Sequence, residues 1–217
     1  MSRLFDMNGP FITILTKIAD FLCLSVLWVV FSLPIVTMGA ASTALYKALH
    51  DCIRRNEAGV WKHFWNAFKE NFKRSTLAWL IELLILVILA VDAGLLRGFK
   101  IEHLPLGNLY WVALLFEAVA LTWTTYVAAY AARFQGSVKE VLYLGFTLLR
   151  LHPLRALYVM LVLLAGVTIC LMVPYMLLFV PALVSWITSL TIEKVFRLHM
   201  KKEDLEREIE IDKLDRK

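Results

Sequence analysis

The sequence is poor in charge, and unevenly so. Residues 21–46 contain no Asp, Glu, Lys or Arg, and neither do residues 156–192. Only 19% of the 217 residues are charged, against about 25% in ordinary soluble domains. Cysteine is scarce as well. Cys23, Cys52 and Cys170 are the only three, with no Cys-x-x-Cys pair, so neither a disulfide scaffold nor a zinc knuckle is expected. Nine Gly and six Pro rule out collagen-like and low-complexity chains. No His-Glu-x-x-His, no phosphate-binding Gly-x-x-x-x-Gly-Lys-Ser/Thr loop and no Gly-x-Ser-x-Gly elbow is present. The five His are scattered. The sequence therefore leads us to expect no metal, no cofactor and no enzymatic activity.

What is abundant is apolar surface. Hydrophobic residues make up 60% of the chain and the mean hydropathy is +0.68. A soluble globule has too little interior for that. As one helix, residues 156–192 would be ~55 Å long, against a hydrocarbon core of ~30 Å. The run must therefore turn back, and Pro174-Tyr175 marks the turn. The pattern predicts an all-α polytopic membrane bundle with about five spans: 18–37, 76–96, 109–131, 155–173 and 177–196. Amphipathic interfacial helices should lie in its cytoplasmic loops. Residues 1–196 form the transmembrane domain and 197–217 a charged cytoplasmic tail. Lipid offers the backbone no hydrogen-bond partners, so helices follow. A β-barrel would alternate apolar and polar residues, and these runs do not.

Lys and Arg set the orientation. With the N-terminus outside, nineteen of the 23 basic residues face the cytoplasm. They fall in the 38–75 loop, at Arg133, Lys139, Arg150 and Arg155, and in the tail from Lys194. The expected location is thus the plasma membrane, N-terminus out and C-terminus in. Lys17, the apolar stretch from Phe21 and the small residues Gly39-Ala40-Ala41 imitate a cleavable leader. Asp6 and Asp20 argue against one, as does the cationic loop that follows.

Two units share an offset of 77: Gly59/Gly136, Lys62/Lys139 and Leu77/Leu154. Each reads span, Gly turn, interfacial helix, span. This suggests a parallel duplication, about 32–96 and 109–173. Any two cytoplasmic loops with amphipathic helices would also look alike.

Three sets of residues carry the functional candidates. The first is an aromatic face at helical spacing, Trp61, Phe64, Trp65, Phe68 and Phe72, with Lys62, Lys69 and Lys73 largely away from it. Such a helix rests on a membrane surface or docks a partner. The second is a run of small residues for close helix packing, Gly39, Ala40, Thr43 and Ala44, which follows a helix stop at Pro34. The third is Glu82 and Glu117, carboxyls at membrane depth with no Lys or Arg at equal depth. Each is either a proton or cation site or a neutral, hydrogen-bonded packing group.

The stretch Leu33-Pro34-Ile35-Val36-Thr37-Met38-Gly39-Ala40-Ala41-Ser42-Thr43-Ala44-Leu45-Tyr46, with the aromatic helix and Ala132-Arg133-Phe134, resembles the YesL-like family of small bacterial membrane proteins. That family carries a domain of unknown function. The likeness covers about residues 8–190. It implies a setting of carbohydrate uptake beside sugar ATP-binding-cassette importers, and no catalytic residues. The favoured expectation is an accessory or assembly subunit whose partners are the bilayer and importer subunits, with a homo-oligomer open and nucleic acid excluded. The alternative is a small proton- or cation-coupled solute transporter using Glu82 and Glu117. The two differ in whether the carboxylates face a shared polar cavity or packed helices.

Overall fold

The computed structural model describes residues 10–54, 59–102 and 104–200. Among them are seven α-helices and no strand. Arg3, Arg55 and the tail beyond residue 200 lie outside the described residues.

Helix α1 runs Pro10–Ser32. It stops where Leu33 precedes Pro34, a position that disfavours helical backbone. Thr37 Oγ1 donates to the Phe31 carbonyl at 2.7 Å, satisfying one of the orphan groups at the helix end. A 3-10 turn, Ile35–Thr37, leads into α2, Met38–Ala48. At 11 residues, α2 is ~16 Å long, about half the membrane core. It is the centre of the molecule, touching α1, α3, α4 and α7. Ala40, Ala41, Ala44 and Ala48 are fully buried. A wide π-turn, Leu49–Arg54, follows.

Helix α3, Val60–Ile101, is 42 residues of unbroken helix, ~63 Å in length. It starts at Gly59, whose φ of +98° favours glycine. The sequence led us to expect an interfacial helix over 61–74 and a separate span from 76. They are one rod, because no Gly or Pro interrupts residues 60–93. The matching segment of the second unit does break. Helix α5, Val138–Leu151, opens on a capping box between Ser137 and Glu140 and ends at His152. Pro153 then begins α6, Pro153–Met172. At the offset of 77, Pro153 stands where α3 has Thr76. Between these elements, a 3-10 turn (Pro105–Leu109) enters α4, Tyr110–Arg133. Another, Pro174–Leu178, turns α6 into α7, Val180–His199.

Among the described residues, four helices are long and apolar enough to cross a membrane: α1, α3, α4 and α6. Helix α7 fills the fifth predicted segment, but its last turns carry Glu193, Lys194 and Arg197. At 20 residues it is as long as α6, and it falls short of that measure by composition alone. Helix α7 packs on α6 and α1, and α4 packs on α3, α5 and α6. The outward faces of the long helices are apolar, as at Leu84, Val87, Ile88 and Val91 on α3 and Leu157, Leu161 and Leu164 on α6. So much contiguous exposed apolar surface suits lipid and not water.

Candidate functional site

Short α2 is what opens the site. It starts level with Trp79, where a Cβ on Gly39 would sit 2.3 Å from the Trp79 Cβ and 2.7 Å from the Ser75 carbonyl. Only glycine allows that approach. From there α2 runs antiparallel to α3: Thr43 bonds Ser75 at 3.0 Å and Lys47 bonds Glu70 at 2.7 Å. One turn beyond Trp79, α3 presents Glu82.

Here the structure holds a cavity of about 500 Å³ between α2, α3, α4, α6 and α7. Its wall is mainly apolar, with Leu163, Val167, Leu177 and Val184 among its lining. Its polar lining is hydroxyl-rich: Thr43, Ser75, Thr124, Thr125, Ser185 and Thr188. Glu82 is the only charged side chain among the described residues that line it. Glu82 is 3% exposed, and its Oε1 has no hydrogen-bond partner. An ionised carboxylate in such surroundings is costly unless something pairs with it. A proton or a cationic ligand removes that cost.

The wall's donors are largely committed. Thr124 donates to the Leu121 carbonyl at 2.8 Å, Thr125 to the same carbonyl at 3.3 Å, and Thr188 to the Val184 carbonyl at 2.9 Å. Thr43 has the Gly39 carbonyl at 3.0 Å. The indole N–H of Trp28 donates to Ser42 Oγ and that of Trp79 to the Ile35 carbonyl. A threonine hydroxyl that already donates keeps its lone pairs, so these threonines can accept a further bond but not donate one.

Glu117 is placed differently. It is half-buried on α4 and is not part of the cavity wall. The two carboxyls therefore do not share a site.

A second polar cluster, missed in the sequence, joins the cavity to one end of the bundle. Tyr46, on the cavity wall, donates to Glu193 Oε1 at 3.0 Å. Glu193 Oε2 lies 3.4 Å from Arg133. Arg133 also reaches His50 Nε2 at 2.7 Å. Arginine only donates, so Nε2 accepts and the ring proton sits on Nδ1, 3.3 Å from Asp51 Oδ1. Asp51 Oδ2 lies 3.7 Å from His63. The π-turn after α2 presents His50 and Asp51 to this cluster. A neighbouring cation, Arg74, caps α4: it donates to the carbonyls of Ala131 and Phe134, the latter at 3.0 Å.

The aromatic face of α3 turns largely inward. Phe31 of α1 sits within 5.0–6.3 Å of the rings of Trp61, Phe64, Trp65 and Phe68. Phe64 is fully buried, while Trp61 and Phe72 remain exposed at the flanks. Lys69 stacks over Trp65 at 4.7 Å, and Lys62 and Lys73 point outward. Pro34 is exposed at the end of α1, whereas Gly39, Ala40, Thr43 and Ala44 form the seat of α2 against its neighbours.

Residues 21–93 match the family described as Protein of unknown function, DUF624. The matched stretch runs from α1 through most of α3, and so includes Gly39, Thr43, Ser75 and Glu82. No curated protein and no solved structure matches the chain.

Proposed function

We propose that this chain is a small, non-enzymatic transporter of the plasma membrane, coupled to a proton or cation through Glu82. The observation that carries the reading is a buried carboxyl with an unpartnered oxygen on the wall of a partly open, mainly apolar cavity. A carboxyl fixing helix packing would be bonded to its neighbours, and Glu82 Oε1 is not. Loading and unloading a proton or cation there changes the balance between states of the bundle, which is what coupling requires. Glu117 drops out of the coupling site, being off the cavity wall. The N-terminus lies outside and the cation-rich loops inside, on the distribution of Lys and Arg.

An accessory role beside a sugar importer, the setting the YesL-like resemblance implies, is the second reading. Exposed Trp61 and Phe72, flanked by Lys62 and Lys73, favour it. That patch is the remainder of a face whose middle is already used on Phe31.

Reconstituted vesicles loaded with a pH-sensitive dye test the proposal. An imposed membrane potential should drive proton or Na⁺ movement in wild type, and Glu82→Gln should abolish it while Glu117→Gln leaves it intact. Equal flux in wild type and Glu82→Gln would overturn the transporter reading. Cysteine labelling in whole cells tests the orientation: a Cys at Asn108 should react with an impermeant reagent and one at Gln135 should not.

A further inference from the structure

Resting on the cavity being a solute site, we propose that its ligand is an amphipathic organic cation: an ammonium group carried on a compact apolar body. Three properties of the wall point there. Its only charged side chain among the described residues is the acidic Glu82, and no Lys, Arg or His lines the space to balance it. An anionic ligand would bring a second negative charge into a low-dielectric space.

Second, most of the wall's donors are committed, and the hydroxyls of Ser42 and Ser185 are the ones among the described residues for which no acceptor is seen. Its threonines, Tyr46 and both indoles already donate, mostly to helix carbonyls. A sugar carries acceptor oxygens at every position and would bury several of them without donors, at a cost for each. An ammonium group needs acceptors alone, and a quaternary one needs only negative charge and polarisable surface. The hydroxyl lone pairs and Glu82 supply those.

Third, the rest of the lining is apolar and includes the two indoles, Trp28 and Trp79. Because each indole N–H is tied to a neighbour, the rings are held in place. Fixed aromatic rings stabilise a cation whose own substituents are apolar. The chemistry that this wall excludes, a polyhydroxylated neutral solute, is the one that a carbohydrate setting would supply.

Calorimetry on the full chain in zwitterionic lipid nanodiscs, with empty nanodiscs as blank, decides the matter. The titrants are tetrapropylammonium chloride, maltose and sodium hexanoate. Tetrapropylammonium should saturate one site per chain, and maltose and hexanoate should give no heat above the blank. Glu82→Gln should weaken the cation at least tenfold, and Glu82→Asp should bind within a few fold of wild type. Unchanged thermal unfolding of both variants shows that they are folded. If both variants lose binding equally, charge is not what holds the ligand and the proposal falls. Maltose or hexanoate binding without the cation overturns the ligand class while leaving a solute site. No binding of any titrant by folded wild-type protein removes the ligand class, and the flux assay then decides separately whether the cavity serves a proton or inorganic cation.

Discussion

Among the described residues two carboxyls are buried inside this bundle, and they are treated in opposite ways. Glu193 is 1% exposed and is held by Tyr46 and Arg133. Glu82 is 3% exposed, and its Oε1 is held by nothing. The difference follows from the helices beside them. Glu193 faces the C-terminal ends of α2 and α4, where the chain supplies a phenol and a guanidinium. Glu82 lies one turn past the point where α2 begins, so α3 there borders open space. A paired carboxyl fixes the arrangement of helices. An unpaired one is available to something that is not part of the protein.

The largest effect comes from making Glu193 resemble Glu82. Arg133→Met strands a buried charge and should cost about 3–5 kcal/mol, read as a large drop in thermal unfolding temperature in detergent. The double variant Arg133→Met/Glu193→Leu should recover most of it. If the single variant is as stable as wild type, the pair does not lock the bundle.

Next is the seat of α2. Gly39→Ala forces a Cβ into Trp79 and the Ser75 carbonyl. The overpacking should cost about 1–3 kcal/mol and shift the start of α2 away from α3. Unchanged stability would mean that α2 is not held against Trp79.

The converse experiment sharpens the comparison. Glu82→Gln breaks no hydrogen bond at Oε1, so stability should change by less than about 1 kcal/mol, while Glu193→Gln should cost more because its partner Arg133 stays charged. Equal losses would mean that both carboxyls are structural.

The smallest effect is a pH dependence at the α5–α6 junction. Burial, with Arg155 and then His199 nearby, pushes His152 below the ordinary imidazole range. Its Nε2 is buried without a hydrogen-bond partner, and its ring meets that of His199 at 5.2 Å. The unfolded chain therefore takes up that proton more readily than the folded one. Stability should fall as pH drops below about 6.5, and His152→Gln should flatten that slope. A slope identical in the variant would assign the dependence elsewhere.

The membrane-helical class was legible from charge-free runs and length, because lipid admits so few backbone solutions. The continuity of α3 was less so: the eye divides Trp61–Arg74 from Leu77 by polarity, whereas the backbone responds to Pro and Gly. Pro153 makes the same point in reverse. The depth of Glu82 and Glu117 could be read, but not that one lines a cavity and the other does not, since that depends on where α2 starts. Glu193 falls inside the expected span 177–196, and nothing near it in sequence marks its partners. Its partners, Tyr46 and Arg133, are 147 and 60 residues away in sequence. Arg74 counted as a loop cation, yet its side chain closes the end of α4.

Mapping by mass spectrometry of the sites modified by an apolar carbodiimide, dicyclohexylcarbodiimide, on the protein in native membranes tests the central claim most directly. The reagent partitions into hydrocarbon and modifies protonated carboxyls. The account predicts an adduct on Glu82, none on ion-paired Glu193, and slower modification of Glu82 when tetrapropylammonium is present. An adduct on Glu193 with Glu82 untouched would contradict it.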